Sequence, residues 1–297
     1  MIKIFLDTDM GSDCDDAGAL SLLHNLASEG KAEILAVTHC ASEISGPYCV
    51  EAINEWYGRK VPIGRYDTKT FLEGGIYCRY TEPIMKNYLK THTGQRYENA
   101  TRLMRKVLSE NSDVVLVTVG MFNNVAELML SEGDDISPLS GVELIKKSVL
   151  CMYSMGGHFS DLSYAEFNIK NDIENAKYVS ENFPAPIVYC GFEIGENVLT
   201  GINLIDADEN HPVKFAYAKN MEIMVRRGEK PLRSSWDPIT VYCAVEHEND
   251  IFEKSEGCKI TFDDEGRVVL EPGGKDFYMI SKVSDEEIRD VIDKYIK

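Results

Sequence analysis

Five aspartates fall within ten positions near the start of the chain: Asp7, Asp9, Asp13, Asp15 and Asp16. Carboxylates packed this closely repel one another, and a tight turn holds them only if positive charge offsets the repulsion. No lysine lies between Lys3 and Lys31, so the residue types point to a hard divalent cation bound through oxygen. Gly11 lets the backbone turn sharply between them. The other reading is a solvated acidic turn in which Asp15 or Asp16 caps a helix, although one aspartate suffices for a cap.

The elements around this turn must place it. Ile2-Lys3-Ile4-Phe5-Leu6 is short, β-branched and aromatic, and reads as a buried strand that delivers the carboxylates at its C-terminal end. Ala17 to Ala27 has apolar residues at helical spacing and stops at Gly30; Glu33 to Thr38 is a second strand. Strand, helix and strand within forty residues make a βαβ unit, hence a parallel sheet whose C-terminal edge gathers ligands. Ser45 to about Trp56 reads as a helix and Val61 to Gly64 as a short strand. Residues 66 to 97, rich in Tyr, Thr and Gly, read as an irregular segment over the site. Asn99 to Ser109 is helical, and Asp113 to Val119 is the clearest central strand, ending in Gly120-Met121-Phe122-Asn123-Asn124 before a further helix. Lys147 to Tyr153 repeats that plan and ends in Met155-Gly156-Gly157-His158. Ala165-Glu166-Phe167-Asn168-Ile169 leads to Asp172, read as the N-cap of a helix through Val179, and Pro186 to Tyr189 is another strand. Ala216 to Arg227 and Asp237 to Glu246 read as helices, the second entered through Ser235-Trp236-Asp237-Pro238. Cys258 to Phe262, Arg267 to Glu271 and Phe277 to Ile280 form a small antiparallel meander, and Asp285 to Ile296 a closing helix. The fold class is α/β: an open, mostly parallel sheet with helices on both faces and a small C-terminal meander, in one domain spanning residues 1 to 297.

Composition removes several function classes. A net charge of −18 on 297 residues repels a phosphate backbone, so no nucleic-acid polymer is expected as partner. A small ligand fits better. No apolar run is long enough to span a membrane and no leader pattern is visible, which predicts a cytoplasmic protein. The eight cysteines are scattered without a C-x-x-C pair and read as reduced thiols, not as a disulfide framework or zinc site.

Asp7-Thr8-Asp9-x-Gly11 with the Asp15-Asp16 pair, Gly120-x-x-Asn123-Asn124, Ala165-Glu166-Phe167-Asn168 followed by Asp172, and Asp237-Pro238 occur in order across nearly the whole chain. In this the sequence resembles the inosine-uridine-preferring nucleoside hydrolase family. The resemblance implies one Ca²⁺ at the sheet edge and hydrolysis of the N-glycosidic bond of a ribonucleoside or related riboside through a metal-activated water. It implies that Asp9, Asp16 and Asp237 ligate the metal with the backbone carbonyl of Asn123, and that Asp9 is the catalytic base. It further implies that Asp15, Glu166 and Asn168 bind the ribose, and that the enzyme is a homodimer or homotetramer. The chemistry is coherent, because cleavage through an oxocarbenium-like state needs carboxylates to stabilise charge and activate water.

Three departures matter. The acidic turn carries two extra residues, leaving Asp13 unassigned. The family's leaving-group histidine is replaced by Trp236, which either stacks on an aromatic base or packs at the helix start. Family asparagines after Thr38 and before Glu166 are replaced by Ser42 or Glu43 and by Ser160. His158 is a candidate substitute acid near the substrate or else a surface group, and His39 is open in the same way. His24, His92, His211 and His247 read as structural or solvent-facing. Two other functions compete: a non-catalytic or altered-specificity riboside-binding homologue that has lost turnover with its histidine, and a haloacid-dehalogenase-like phosphatase using Asp7 and Asp9, which would want a Thr or Val where Gly11 stands.

Overall fold

The chain begins with the strand, helix and strand that its periodicity predicts. A computed structural model describes residues 1–89, 97–247 and 249–297. Its first half runs β1 (Ile2–Thr8), α1 (Asp15–Ser28), β2 (Ala32–His39), α2 (Ser45–Trp56), β3 (Ile63–Arg65), α3 (Thr81–Asn87), β4 (Glu98–Asn99), α4 (Ala100–Glu110), β5 (Val114–Thr118) and α5 (Asn123–Leu130). It continues with α6 (Gly141–Ser148), β6 (Val149–Met155), α7 (Phe167–Lys170), α8 (Ile173–Asn182), β7 (Ile187–Cys190), β8 (Leu199–Thr200), α9 (Pro212–Asn220) and α10 (Glu222–Arg226). The last elements are β9 (Arg233–Ser234), α11 (Trp236–Val245), β10 (Phe252–Lys254), β11 (Cys258–Phe262), β12 (Val268–Pro272), β13 (Phe277–Ser281) and α12 (Asp285–Ile292).

Nine strands form one sheet in the order β10-β13-β7-β6-β5-β1-β2-β3-β4. Every pairing is parallel except β10 with β13. Alternate residues of the central strands face opposite layers: Ile4, Leu6, Val115 and Val117 pack with α1, α2 and α11, whereas Phe5, Val114 and Leu116 pack with α4, α5, α6 and α8. The expected open sheet with helices on both faces is therefore present. Its strand order reverses at β1, which lies between β2 and β5, and a crevice opens where the loops leaving β1 and β5 turn to opposite faces.

Some elements differ from expectation. Within residues 66 to 97 a 3₁₀ turn at Gly75–Cys78 and the seven-residue α3 replace the irregular segment; both are too short to show a period. Helix α6 was not anticipated, although Ser140 and Glu143 form a capping box that the sequence displays. The helix expected from Ala216 to Arg227 starts earlier and divides at Met221 into α9 and α10. The C-terminal antiparallel strands are present but divided: β11 and β12 form a hairpin, while β13 joins the main sheet beside β7 and pairs antiparallel with β10. His92 lies outside the described residues.

Candidate active site

Each segment of the site sits at the C-terminal edge of the sheet. Asp7, the last residue of β1 but one, is in register with Thr38 of β2 and Thr118 of β5. Its Oδ1 accepts from Thr38 Oγ1 at 2.6 Å and Asn124 Nδ2 at 2.8 Å, which ties three strand ends together under the acidic turn. Asp7 is fully buried and does not reach the cleft above. It cannot serve as a phosphatase nucleophile.

The turn itself is shaped by two close approaches. Gly11 has φ +145°, and a Cβ there would fall 2.1 Å from the carbonyl oxygen of Tyr77, so the 75–78 turn rests directly on the acidic loop. At Gly120 a Cβ would meet Cys40 Sγ at 2.6 Å and the Asp9 backbone nitrogen at 2.9 Å. The carboxylates then separate by position. Asp9 follows β1 and accepts from Ser12 Oγ at 3.3 Å; Asp15 and Asp16 occupy the first turn of α1, where the helix dipole favours negative charge. Neither caps α1, since the N-cap is Cys14 and it makes no side-chain capping bond. Asp16 accepts from Thr8 Oγ1. Asp237 lies in the first turn of α11, and its backbone N–H donates to Asp15 Oδ2 at 3.3 Å. Two helix N-termini thus converge on one group of carboxylates.

One oxygen each from Asp13, Asp15 and Asp16 lies within 4.8 Å of the others. Of the residues expected as metal ligands, only Asp16 belongs to that group; Asp9 and Asp237 line the same cleft beside it. Asn123, at the start of α5, donates Nδ2 to Cys40 O at 2.8 Å, and its Oδ1 is buried without a partner among the described residues. Its side chain does not line the cleft.

Burial and crowding raise the proton affinities of Asp9, Asp16, Asp237 and Glu166. Burial, followed by the charge of Asp13, pushes Asp9 up to about 7. Asp16 and Asp237 are driven well above the carboxylate range by burial first, then by the neighbouring charges of Asp9 and Asp16 respectively. Glu166 rises to about 7 through burial, against backbone hydrogen bonds that favour its charged form. Such a group is stable as anions only with a cation among them. The donor set is all hard oxygen, which fits Ca²⁺ or a similar ion and no soft metal.

The cleft holds about 300 Å³. Beside the carboxylates its lining is apolar, from Ile76, Val119, Met155, Phe167, Phe192 and Trp236. Glu166 caps the short α7, accepting from the N–H of Asn168 at 2.9 Å and Ile169 at 3.3 Å. Asn168 donates Nδ2 to Val119 O at 3.0 Å and Met155 O at 3.3 Å, bridging the ends of β5 and β6. Asp172 precedes α8 as expected but makes no capping bond; its carboxylate accepts from Asn175 Nδ2.

Trp236 stands on the cleft wall, its Nε1 donating to Phe192 O at 2.7 Å and its ring 5.0 Å from that of Phe192. His158 does not line the cleft: it stacks on Phe192 at 5.6 Å, and its Nδ1 accepts from Asp161 N at 3.0 Å. His39 is buried, its two ring nitrogens 2.8 Å from Ala41 O and 3.0 Å from Met10 O, so it braces loops. His24 is buried against Asn54, His211 caps α9, and His247 is exposed. Glu43 fixes Ser45 N and Gly74 N, while Ser42 and Ser160 also stay off the wall. Sequence reasoning missed Arg233, whose Nη2 meets Asp13 Oδ2 at 2.9 Å and which adds a cation to the cleft. Nothing in its neighbourhood, which also holds Arg226, Arg227 and Lys230, distinguishes it in the sequence.

The molecule is thus a nine-stranded α/β sheet with an acidic cleft at its switch point. The family model described as inosine-uridine preferring nucleoside hydrolase matches residues 4–288, and the chain belongs to that family. It is a hydrolase acting on N-glycosyl compounds. The fold is similar to that of an inosine-guanosine nucleoside hydrolase, at 18% identity and TM-score 0.74 over 100% of this chain and 99% of the other. It is also similar to a plant nucleoside hydrolase, at 17% identity and TM-score 0.74 over 99% and 98% of the two chains. An inosine-uridine preferring nucleoside hydrolase from Bacillus anthracis aligns at 16% identity and TM-score 0.72 over 100% and 99%. A search of the curated proteins finds no match.

Proposed function

We propose that the protein is a Ca²⁺-dependent N-ribohydrolase that cleaves the N-glycosidic bond of a ribonucleoside or related riboside. The observation that carries this reading is the meeting of buried Asp9, Asp16 and Asp237, from two distant segments, in one cleft that Phe167, Phe192 and Trp236 also line. Asp9, Asp16, Asp237 and the backbone carbonyl of Asn123 would hold Ca²⁺, which supplies a Lewis acid that acidifies a water and orients the sugar diol. Asp9 takes the proton from the attacking water. Asp15 accepts from a ribose hydroxyl, and Glu166 and Asn168 hold the other side of the sugar. Negative charge on these groups stabilises the oxocarbenium-like state as the bond to the aglycone lengthens. Trp236 and Phe192 give the cleft an aromatic lining against which an aromatic aglycone packs.

The test is ribose release by variants. Asp9→Asn loses activity by at least about 100-fold, as removal of a general base does; Asp237→Ala loses both activity and calcium binding. Unimpaired ribose release in either variant would overturn the mechanism. One observation favours a second reading, a riboside-binding homologue without turnover: Trp236 N–H is already taken by Phe192 O, so the residue in the histidine's place offers nothing to a leaving group. Thermal stabilisation by ribosides with no product formed selects that reading.

Among the described residues no helix is long and apolar enough to cross a membrane. We infer a cytoplasmic enzyme acting on small molecules, assembled as a homodimer or homotetramer. Light scattering checks that assembly.

A further inference from the structure

We propose that Arg233 stabilises the departing aglycone through a charge-assisted hydrogen bond, in the place where a proton donor is missing. The inference rests on the hydrolase reading above and names the residue that acts on its leaving group. Three observations support it. Arg233 is the one Lys or Arg among the described residues that line the cleft, and no histidine lines it. Its guanidinium lies 5.0 Å from the Trp236 ring and is bonded to Asp13, so it stands between the aromatic lining and the acidic turn, within reach of an aglycone packed against that lining. Among the described residues its side chain donates only to Asp13, through Nη2, and Nε is buried with no partner.

Trp236 does not compete for this role. Its N–H is committed to Phe192 O, and an indole does not yield a proton at neutral pH. A guanidinium does not yield one either, but it can hold a charge that develops on a planar nitrogen heterocycle, and its fixed fork suits in-plane acceptors.

The step balances without proton transfer to the leaving group. The C1′–N bond breaks and its electron pair goes to the aglycone nitrogen. The water oxygen bonds to C1′, and its proton passes to Asp9. The aglycone leaves as an anion paired with Arg233 and then takes a proton from solvent, while Arg233 keeps all of its own.

The competing explanation is that Arg233 only offsets the charge of Asp13. The two differ in how the loss depends on the leaving group. We would measure kcat/KM of the full chain with Ca²⁺, as wild type, Arg233→Gln and Arg233→Lys, on inosine, uridine and 4-nitrophenyl β-ribofuranoside, whose phenolate departs as a stable anion. The proposal predicts that Arg233→Gln loses about 100-fold with inosine and uridine, the range seen when one preorganised donor is removed. The loss with the nitrophenyl riboside should be at least about tenfold smaller, and Arg233→Lys should recover part of the nucleoside activity because it keeps the charge. Equal losses on all three substrates, or no loss on any, overturn the proposal while leaving the hydrolase reading intact. A wild-type protein that releases ribose from none of the three overturns both.

Discussion

Asp13 and Arg233 meet at 2.9 Å across 220 residues of sequence, joining the acidic turn after β1 to the segment that enters α11. The side chains are about 30% and 27% exposed, so the pair adds little stability by itself. Its effect is on charge. Arg233 offsets Asp13, whereas Asp16 has no cation beside it among the described residues. Asp13→Asn should therefore lower Ca²⁺ affinity by less than about tenfold, and Asp16→Asn by about 100-fold or more, since a lost ligand outweighs a lost neighbour. Calorimetric titration of both variants decides; the reverse order would make Asp13 the ligand.

Gly11 is held at φ +145° with Tyr77 O where its Cβ would be. Gly11→Ala adds backbone strain to a steric clash, a combination that costs about 2 kcal/mol. The melting temperature should fall by about 5 °C. The 75–78 turn would lift, taking Ile76 off the cleft wall, so KM should rise as well. An unchanged melting temperature and KM would show that the turn does not rest on the acidic loop.

The acidic turn, the parallel sheet and the strand-end motifs were legible because each has a local signature: a β-branched run, a 3.6-residue period, or carboxylates at a strand's end. Asp9, Asp15, Asp16, Glu166, Asn168, Trp236 and Asp237 do reach one cleft. Long-range contacts were not legible. Nothing local to Arg233 announces a partner 220 residues away, and His158, placed by loop proximity, was turned onto Phe192 by packing that no spacing encodes. The exchange of β13 from the hairpin into the main sheet has the same origin, because strand pairing is chosen by tertiary contact.

Burial of His24 between Asn54 and Tyr57 holds its pKa down to about 4, below the ordinary 6.5. The unfolded chain therefore binds the extra proton first, and stability from this site is lost as pH falls from about 6.5 to about 4, by up to about 3 kcal/mol. The buried carboxylates, whose affinities for protons are raised, act with the opposite sign. Comparing His24→Gln with wild type removes their common contribution. Urea unfolding at pH 7.5 and pH 5 should show a smaller loss on acidification in the variant; parallel losses would contradict the assignment.

The central claim is hydrolysis of a riboside at a calcium-loaded acidic cleft. Its most direct test is ribose release from a panel of ribosides, including inosine and uridine, by protein stripped with a chelator and then reconstituted with Ca²⁺. The account predicts release that disappears on stripping and returns with calcium. Release that is indifferent to chelation, or absent with every riboside in the loaded protein, would contradict it.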